Sequence, residues 1–311
     1  MARRPEAANH FAGGYLDRAS RLRQDAAWLS AALDDERSLF VPVHAEHCLV
    51  ASLEAPRARF LQRAQLVTLG CEPSAHSAVF LGLYQDRAVF ALPLAQPPDG
   101  IDGEFVDLWQ VGQRLAPAEA AILAYAKAMI GWRTHHRFCS MTGDPLVVDS
   151  GGHVLAAPDG RKLFPRVDPA IIVLVTHGER CLLGRQTTWP EQRYSTIAGF
   201  VEPGESLEDA VAREVEEETN IRVGEVRYHS SQPWPFPSSL MLGFTAQAQS
   251  TDIHLNDGEL ADAGWFARED IINGRIRVPP GLSISHRLIR DWFDAWDGPT
   301  LAKVLGGTTR W

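Results

Sequence analysis

Between residues 39 and 94 the chain alternates short apolar runs with polar breaks, among them Leu66, Val67, Thr68 and Leu69 and the run 78–84. Runs of this length and composition predict strands, and Gln85, Asp86 and Arg87 predict a hairpin turn into a partner run over 88–94. The pattern changes at Pro117, which suits a first helical position. Ile122, Tyr125, Met129 and Trp132 then recur at helical spacing, so a helix should close a mainly-β first domain. Residues 139–168 are rich in Gly, Pro and Asp and predict a small irregular module or linker. A new apolar run follows at 170–175, then a turn at Thr176, His177, Gly178 and Glu179 and a partner strand through Cys181, Leu182 and Leu183. A further strand should end at Ala198, a helix should occupy 206–219, and Leu240, Leu242 and Phe244 alternate as in a half-buried strand. No internal repeat is evident. The expected architecture is α+β: a mainly-β domain over 1–135, a joining module over 136–168 and a domain mixing strands and helices over 169–311.

A length of 311 residues suits two domains, and 45% hydrophobic with 22% charged residues is ordinary for a soluble globular chain. The formal charge of -9 disfavours nonspecific binding to nucleic acid or anionic membrane, so an anionic substrate must be held by cations placed locally. Arg3 and Arg4 precede no apolar stretch of signal-peptide length, and no run reaches membrane-spanning length. The expected location is cytoplasmic, with no membrane partner. Cys48, Cys71, Cys139 and Cys181 are far apart in sequence, which predicts reduced thiols rather than a disulfide framework.

The most informative stretch is 199–221, GFVEPGESLEDAVAREVEEETNI, in which residues 205–218 hold seven acidic residues against one arginine. Such a run can be a solvated helix face. Helical phase separates the possibilities: Leu207, Ala210, Val211 and Val215 form one apolar stripe, and Glu214 and Glu218 fall within it. Glu217 lies at its edge, whereas Glu208, Asp209 and Glu216 point away. A carboxylate on the core side is costly unless a cation or hydrogen bonds compensate it. Arg213 offsets part of that charge, for which Glu205 is a partner. Bound divalent metal is the simplest remaining compensation, and oxygen-only ligands favour Mg²⁺ or Mn²⁺.

The stretch resembles the Nudix box, GX5EX7REUXEEXGU, with Asn220 in place of the glycine that follows the helix. Asn tolerates the left-handed conformation a helix C-terminus often needs, so the fold should survive the change. The resemblance implies a Nudix α/β/α sandwich in which Arg213, Glu214, Glu217 and Glu218 form the catalytic set. It further implies metal held by those three glutamates, the carbonyl of Ala198 and a later glutamate. Glu259, before the strand-like Gly264, Trp265 and Phe266, suits that last position, although an ordinary loop carboxylate has the same appearance. Metal would neutralise the diphosphate and lower the pKa of a bound water, one glutamate accepting its proton; the residues leave open which.

Thirteen residues past Glu218 begins SQPWPFPSS, with prolines at 233, 235 and 237. The prolines exclude a helix and favour extended backbone, which would project Gln232, Trp234 and Phe236 to one side. That strip is a surface for stacking and hydrogen bonding a base, or else a proline-stiffened core edge. Downstream of a Nudix box it is similar to the signature of the NADH pyrophosphatase branch, whose members yield AMP and nicotinamide mononucleotide and in some cases remove NAD caps from RNA. The resemblance implies a homodimer. By position, Phe200, Gln232 and Trp234 would meet the nucleotide, Phe164 and Ile172 would reach in from a partner subunit, and Ser285 would contribute from the C-terminal helix. Members of the branch commonly carry a four-cysteine zinc ribbon between the domains. Here Cys139 alone is retained, and His135, His136 and His153 match no common zinc spacing, so no structural zinc is expected. The principal reading is metal-dependent hydrolysis of a dinucleotide such as NADH. The alternatives are NAD-cap removal from RNA, against which the acidic charge weighs, and a non-catalytic nucleotide sensor, against which the intact glutamates weigh.

Overall fold

The computed structural model describes residues 9–256 and 258–306, which divide into two compact units. One holds residues 11–167 together with Trp234–Ser238, and the other holds 9–10, 168–233 and 239–306.

The first unit runs through α1 (Ala26–Asp34), β1 (Leu39–His44), β2 (His47–Val50), α2 (Arg63–Thr68), β3 (Val79–Tyr84), β4 (Arg87–Pro93), β5 (Glu104–Val106), α3 (Leu108–Val111) and α4 (Pro117–His135). Its sheet has the order β3-β4-β1-β2-β5, with β1 parallel to β4. Phe40, Phe80 and Phe90 form the centre of its core, Phe40 stacked on Phe90 at 5.6 Å. The β3–β4 turn places Gln85 and Asp86 at positive φ (50° and 61°), the conformation that matches the twist of the flanking strands. Residues 66–69 correct the sequence expectation: they lie in and just after helix α2, not in a strand. Gln65 Oε1 accepts the Gln62 N–H at 2.9 Å at its start, and of the apolar pair only Leu66 is buried while Val67 is 47% exposed. A one-sided pattern with a capped start favours a helical turn over an unpaired strand.

The joining segment is more regular than its composition predicts. It forms a three-stranded sheet of β6 (Val147–Asp149), β7 (Val154–Ala156) and β8 (Lys162–Leu163). Before it, the Cys139 N–H donates to the Asp144 carbonyl and Gly143 N–H to the Cys139 carbonyl, both at 2.8 Å. The Thr142 hydroxyl and the amides of Met141 and Thr142 hydrogen-bond the Cys139 sulfur and hold its pKa below the usual thiol value. Nδ1 of His135 and of His136 lies 2.7 Å from a carbonyl of its own helix. His153 Nε2 lies 2.7 Å from the Phe80 carbonyl, and burial pulls its pKa down to about 4. One thiol is too few for a zinc ribbon, and among the described residues no three His, Cys, Asp or Glu side chains gather to complete a set of ligands, so the segment does not fit a zinc ion. Hydrogen bonds supply the shape.

The second unit contains β9 (Asp168–His177), β10 (Arg180–Gln186), β11 (Ile197–Phe200), α5 (Leu207–Thr219), β12 (Val223–Trp234), β13 (Ser239–Ala248), β14 (Leu260–Phe266), α6 (Arg268–Ile272), α7 (Ile284–Phe293) and α8 (Leu301–Leu305). Its sheet has the order β12-β13-β9-β10-β14, with β11 pairing β9. The apolar run at 170–175 explains the layers. Ile171, Val173 and Val175 pack with Ala210, Val211 and Val215 of α5, whereas Ile172 and Leu174 pack with Ile284, Leu288 and Ile289 of α7. Period-two alternation thus buries both faces of β9, and an α/β/α sandwich results. Asn9 belongs to this unit: its Nδ2 donates to the Ser231 carbonyl (2.8 Å) and Ser230 Oγ (3.0 Å), and its Oδ1 accepts from Arg287 (3.1 Å).

A repeat that the sequence does not reveal emerges from the two sheet orders. β3-β4-β1-β2-β5 and β12-β13-β9-β10-β14 are the same arrangement, each with one parallel pair, β1 with β4 and β9 with β13. The first unit lacks the acidic helix, and at the place of β11 it has a single antiparallel bridge, Phe40 to Leu61.

Asn220 ends α5 at φ 61°, in the left-handed region. Asn220→Gly should keep or raise the melting temperature, and Asn220→Ala should lower stability by about 1 kcal/mol in urea unfolding. An alanine variant as stable as the parent would show that the helix end does not depend on this conformation.

Candidate active site

The acidic helix begins with a capping box. Ser206 Oγ accepts the Asp209 N–H at 3.1 Å and Asp209 Oδ2 accepts the Ser206 N–H at 3.2 Å. One turn further, Arg213 uses all five of its N–H donors. Nε and Nη2 clamp Glu205 at 2.6 and 3.0 Å, Nη2 also reaches the Phe200 carbonyl at 2.9 Å, and Nη1 is shared between Glu214 (3.0 Å) and Glu217 (2.9 Å). The forked geometry of guanidinium makes one residue the joint between β11, the loop and the helix. The Arg213 pair holds the Glu205 carboxyl below its usual range, and the surrounding carboxylates push the Arg213 pKa up.

The glutamates follow the helical phase read from sequence. Glu218 is 5% exposed, Glu214 is half-buried, and Glu208, Asp209, Glu216 and Glu217 are exposed. Glu214 lies over the backbone of β11. A Cβ at Gly199 would fall 1.9–2.3 Å from its carboxylate atoms, so any side chain there would have to displace the Glu214 carboxylate. Burial raises the Glu214 pKa, Arg213 opposes that shift, and the negative charges of Glu217 and Glu259 add to it. Glu259 therefore belongs to the same electrostatic neighbourhood, immediately before β14. Ala198 is exposed on β11, paired across to Ile172.

Among the described residues no three His, Cys, Asp or Glu side chains gather in a metal-holding group; Arg213 Nη1 lies between two of the carboxylates instead. The donor set still fits a hard divalent cation. It is all oxygen, and Glu214 is packed into a space cleared of a side chain, with excess negative charge that one arginine does not balance.

The remaining sequence-predicted residues separate. Phe200, at the end of β11, is 60% exposed beside the helix and offers a free aromatic face. Gln232 is fully buried: its amide donates to the Leu282 carbonyl (2.8 Å) and the His10 carbonyl (3.2 Å), and its Oε1 accepts the Ile284 N–H (2.7 Å). Through these bonds Gln232 fastens the start of α7. Ser285 is likewise buried, bonded to Ser195 Oγ (2.9 Å) and to Thr196 Oγ1 (2.8 Å) and N–H (3.2 Å). Ile172 is in the core beneath α7. Phe164 is 64% exposed.

The strip does not remain extended. After Trp234 the chain turns, the Phe236 N–H donating to the Trp234 carbonyl at 2.8 Å. Trp234 and Phe236 join Phe11 and Trp109 in edge-to-face contacts with centroids 5.2–6.4 Å apart. Sequence reasoning gave no role to Gly199 or to Glu205 as the clamp on Arg213 beyond a possible pairing; both occupy fixed positions of the motif, which was the available signal.

This arrangement, with a glycine-bounded strand end, an arginine-tied loop and a carboxylate-bearing helix on an α/β/α sandwich, defines the Nudix hydrolases, and the chain belongs to that family. Residues 165–293 match the NUDIX domain, and residues 37–132 match the NADH pyrophosphatase-like rudimentary NUDIX domain, which accounts for the repeated sheet. The chain is 33% identical over 340 residues to the NAD-capped RNA hydrolase NUDT12 of Macaca fascicularis, covering 92% of this chain and 74% of that protein. The human NUDT12, also an NAD-capped RNA hydrolase, is 32% identical with the same coverage. The NAD-capped RNA hydrolase NudC of Mycobacterium bovis is 36% identical over 304 residues, covering 89% of this chain and 92% of that protein.

Gly199→Ala tests the close approach. The added methyl should displace the Glu214 carboxylate, the end of a flexible side chain, and so leave the fold intact. A misplacement of this size should lower hydrolytic turnover by about a hundredfold. Circular dichroism beside steady-state kinetics checks this, and turnover near the parent value would mean that Glu214 is not held by Gly199 in the working enzyme.

Proposed function

We propose that this chain hydrolyses the diphosphate of NADH or NAD to nicotinamide mononucleotide and AMP, with Mg²⁺ or Mn²⁺ as cofactor. The observation that carries the reading is the half-buried Glu214 over Gly199, in a chain whose relatives over nine-tenths of its length are named for NAD-capped RNA. In the reaction the oxygen of water bonds to one phosphorus, the bond from that same phosphorus to the bridging oxygen breaks, the bridging oxygen leaves on the other phosphate, and each product is a monophosphate.

Glu214, Glu217, Glu218 and Glu259 with the Ala198 carbonyl are the groups that would hold the cation. When bound, a divalent ion neutralises the diphosphate and makes water more acidic. Arg213 acts as a positioning residue, since its donors are spent on Glu205, Phe200, Glu214 and Glu217. Phe200 supplies an exposed ring for a base or nicotinamide to stack on, and Trp234 supports recognition from within its aromatic cluster. Phe164 is the exposed residue available to a partner subunit in a homodimer, supported by the exposed apolar residues Phe138, Met141, Val147 and Val167 of the same segment. Gln232 and Ser285 support the site by holding α7 in place. A cytoplasmic location accords with the absence, among the described residues, of a helix long and apolar enough to cross a membrane.

Removal of NAD caps from RNA by the same site is the second reading, favoured by the names of the relatives. Incubating the protein with NADH, NAD, ADP-ribose and NAD-capped RNA plus Mg²⁺ or Mn²⁺, then separating products by chromatography, distinguishes the two. AMP and the nicotinamide mononucleotide from the free dinucleotide are expected; ADP-ribose cleavage with NADH and NAD untouched would discard the proposal. Glu218→Gln, which removes charge at constant shape, should lower turnover by at least about a hundredfold while melting unchanged. Parent-like turnover with the same metal saturation would remove Glu218 from the site.

A further inference from the structure

The first unit contains a cavity that the hydrolytic chemistry does not use. Its volume is about 190 Å³, below the range of sites for drug-sized ligands and suited to one substituted ring. Ala26 and Leu29 of α1 and Val148 of β6 form an apolar wall over the buried Phe80 and Phe90, and Arg23, Asp149 and Ser150 form a polar rim. The rim is held by an unusual turn. Ser150, Gly151 and Gly152 have φ of 51°, 60° and 89°, and a Cβ on Gly152 would come to 3.0 Å from Val79 and one on Gly151 to 3.3 Å from Phe80. Glycine lets the turn lie directly on β3, and this brings the polar edge beside the Phe80 ring.

Arg23 sets the chemistry. Its Nε is buried with no hydrogen-bond partner, and Nη2 makes one long bond, 3.4 Å, to the Arg18 carbonyl. Asp149 is already engaged: Oδ1 accepts the Ser150 N–H at 2.5 Å and Oδ2 faces Lys162 Nζ at 4.0 Å. A guanidinium with a desolvated, unused donor beside an apolar wall calls for an anionic acceptor attached to an apolar body, and a carboxylate matches the guanidinium fork. We propose that this cavity binds a small aromatic monocarboxylate, its ring against Ala26, Leu29 and Val148 and its carboxylate on Arg23.

Isothermal titration of the full chain with benzoate and with benzamide, the same shape without the charge, tests the assignment. Benzoate should bind at least about tenfold more tightly than benzamide, the value expected for a charge-assisted hydrogen bond. Arg23→Gln should bring the two to near equality while dinucleotide turnover stays at the parent level, since Arg23 lies outside the hydrolytic site. Ala78→Leu, which fills the cavity from its lining, should abolish binding of both. Failure of benzoate to bind the unaltered chain, equal binding of benzamide, or undiminished benzoate binding by Arg23→Gln would each overturn the proposal. Should Arg23→Gln unfold, the benzoate-to-benzamide ratio of the parent and the loss of binding in Ala78→Leu decide the matter.

Discussion

The site depends on one arginine placed among more negative charge than it can neutralise. Arg213 joins the end of β11, the Glu205 loop and two carboxylates of α5 through a complete set of donors. Because each bond fixes a different segment, the guanidinium acts as a rivet rather than as a counter-ion. The remaining negative charge is what a divalent cation would offset in the proposed reaction. Glu214 is raised in pKa by burial and by neighbouring glutamates, and Glu218 is almost wholly enclosed, so the helix carries carboxylates where burial disfavours charge. Stability and chemistry are in tension at this point, as is common where carboxylates are packed for function.

The parts of the structure governed by local periodicity were legible in the sequence. Phase along α5 separated Glu214 and Glu218 from Glu208, Asp209 and Glu216, because a helix that packs one face leaves little freedom to the others. The apolar run of β9 was readable as a buried strand, and Asn220 as a left-handed helix end. What escaped depended on tertiary partners. The 66–69 run reads as a strand until the Gln62–Gln65 cap and the absence of a neighbouring strand are known. Gln232 reads as a polar recognition group, yet its bonds to His10, Leu282 and Ile284 come from positions about 50 and 220 residues away in sequence, which spacing alone does not disclose. The repeated sheet escaped for a related reason: strand order is a property of pairing, and many apolar sequences satisfy the same pairing.

The first unit has the same sheet order without a counterpart of the acidic helix, and it matches a rudimentary NUDIX domain. A sheet with its core intact keeps its shape when a functional layer is removed, since the Phe40, Phe80 and Phe90 contacts do not involve that layer.

Asn9 and His10 count with the second unit although residues 11–167 build the first, and Trp234–Ser238 counts with the first although both its flanks build the second. The polypeptide is therefore stitched back and forth, and a domain boundary here is not a single peptide bond. An excised catalytic fragment beginning at 168 would lack the Asn9 bonds to Ser230, Ser231 and Arg287 and the His10 bond to Gln232, and would expose the aromatic residues of the strip. Evolution by shuffling whole domains is correspondingly constrained: either half can diverge in place, but neither can be exchanged by a single recombination joint without cutting a seam of the other.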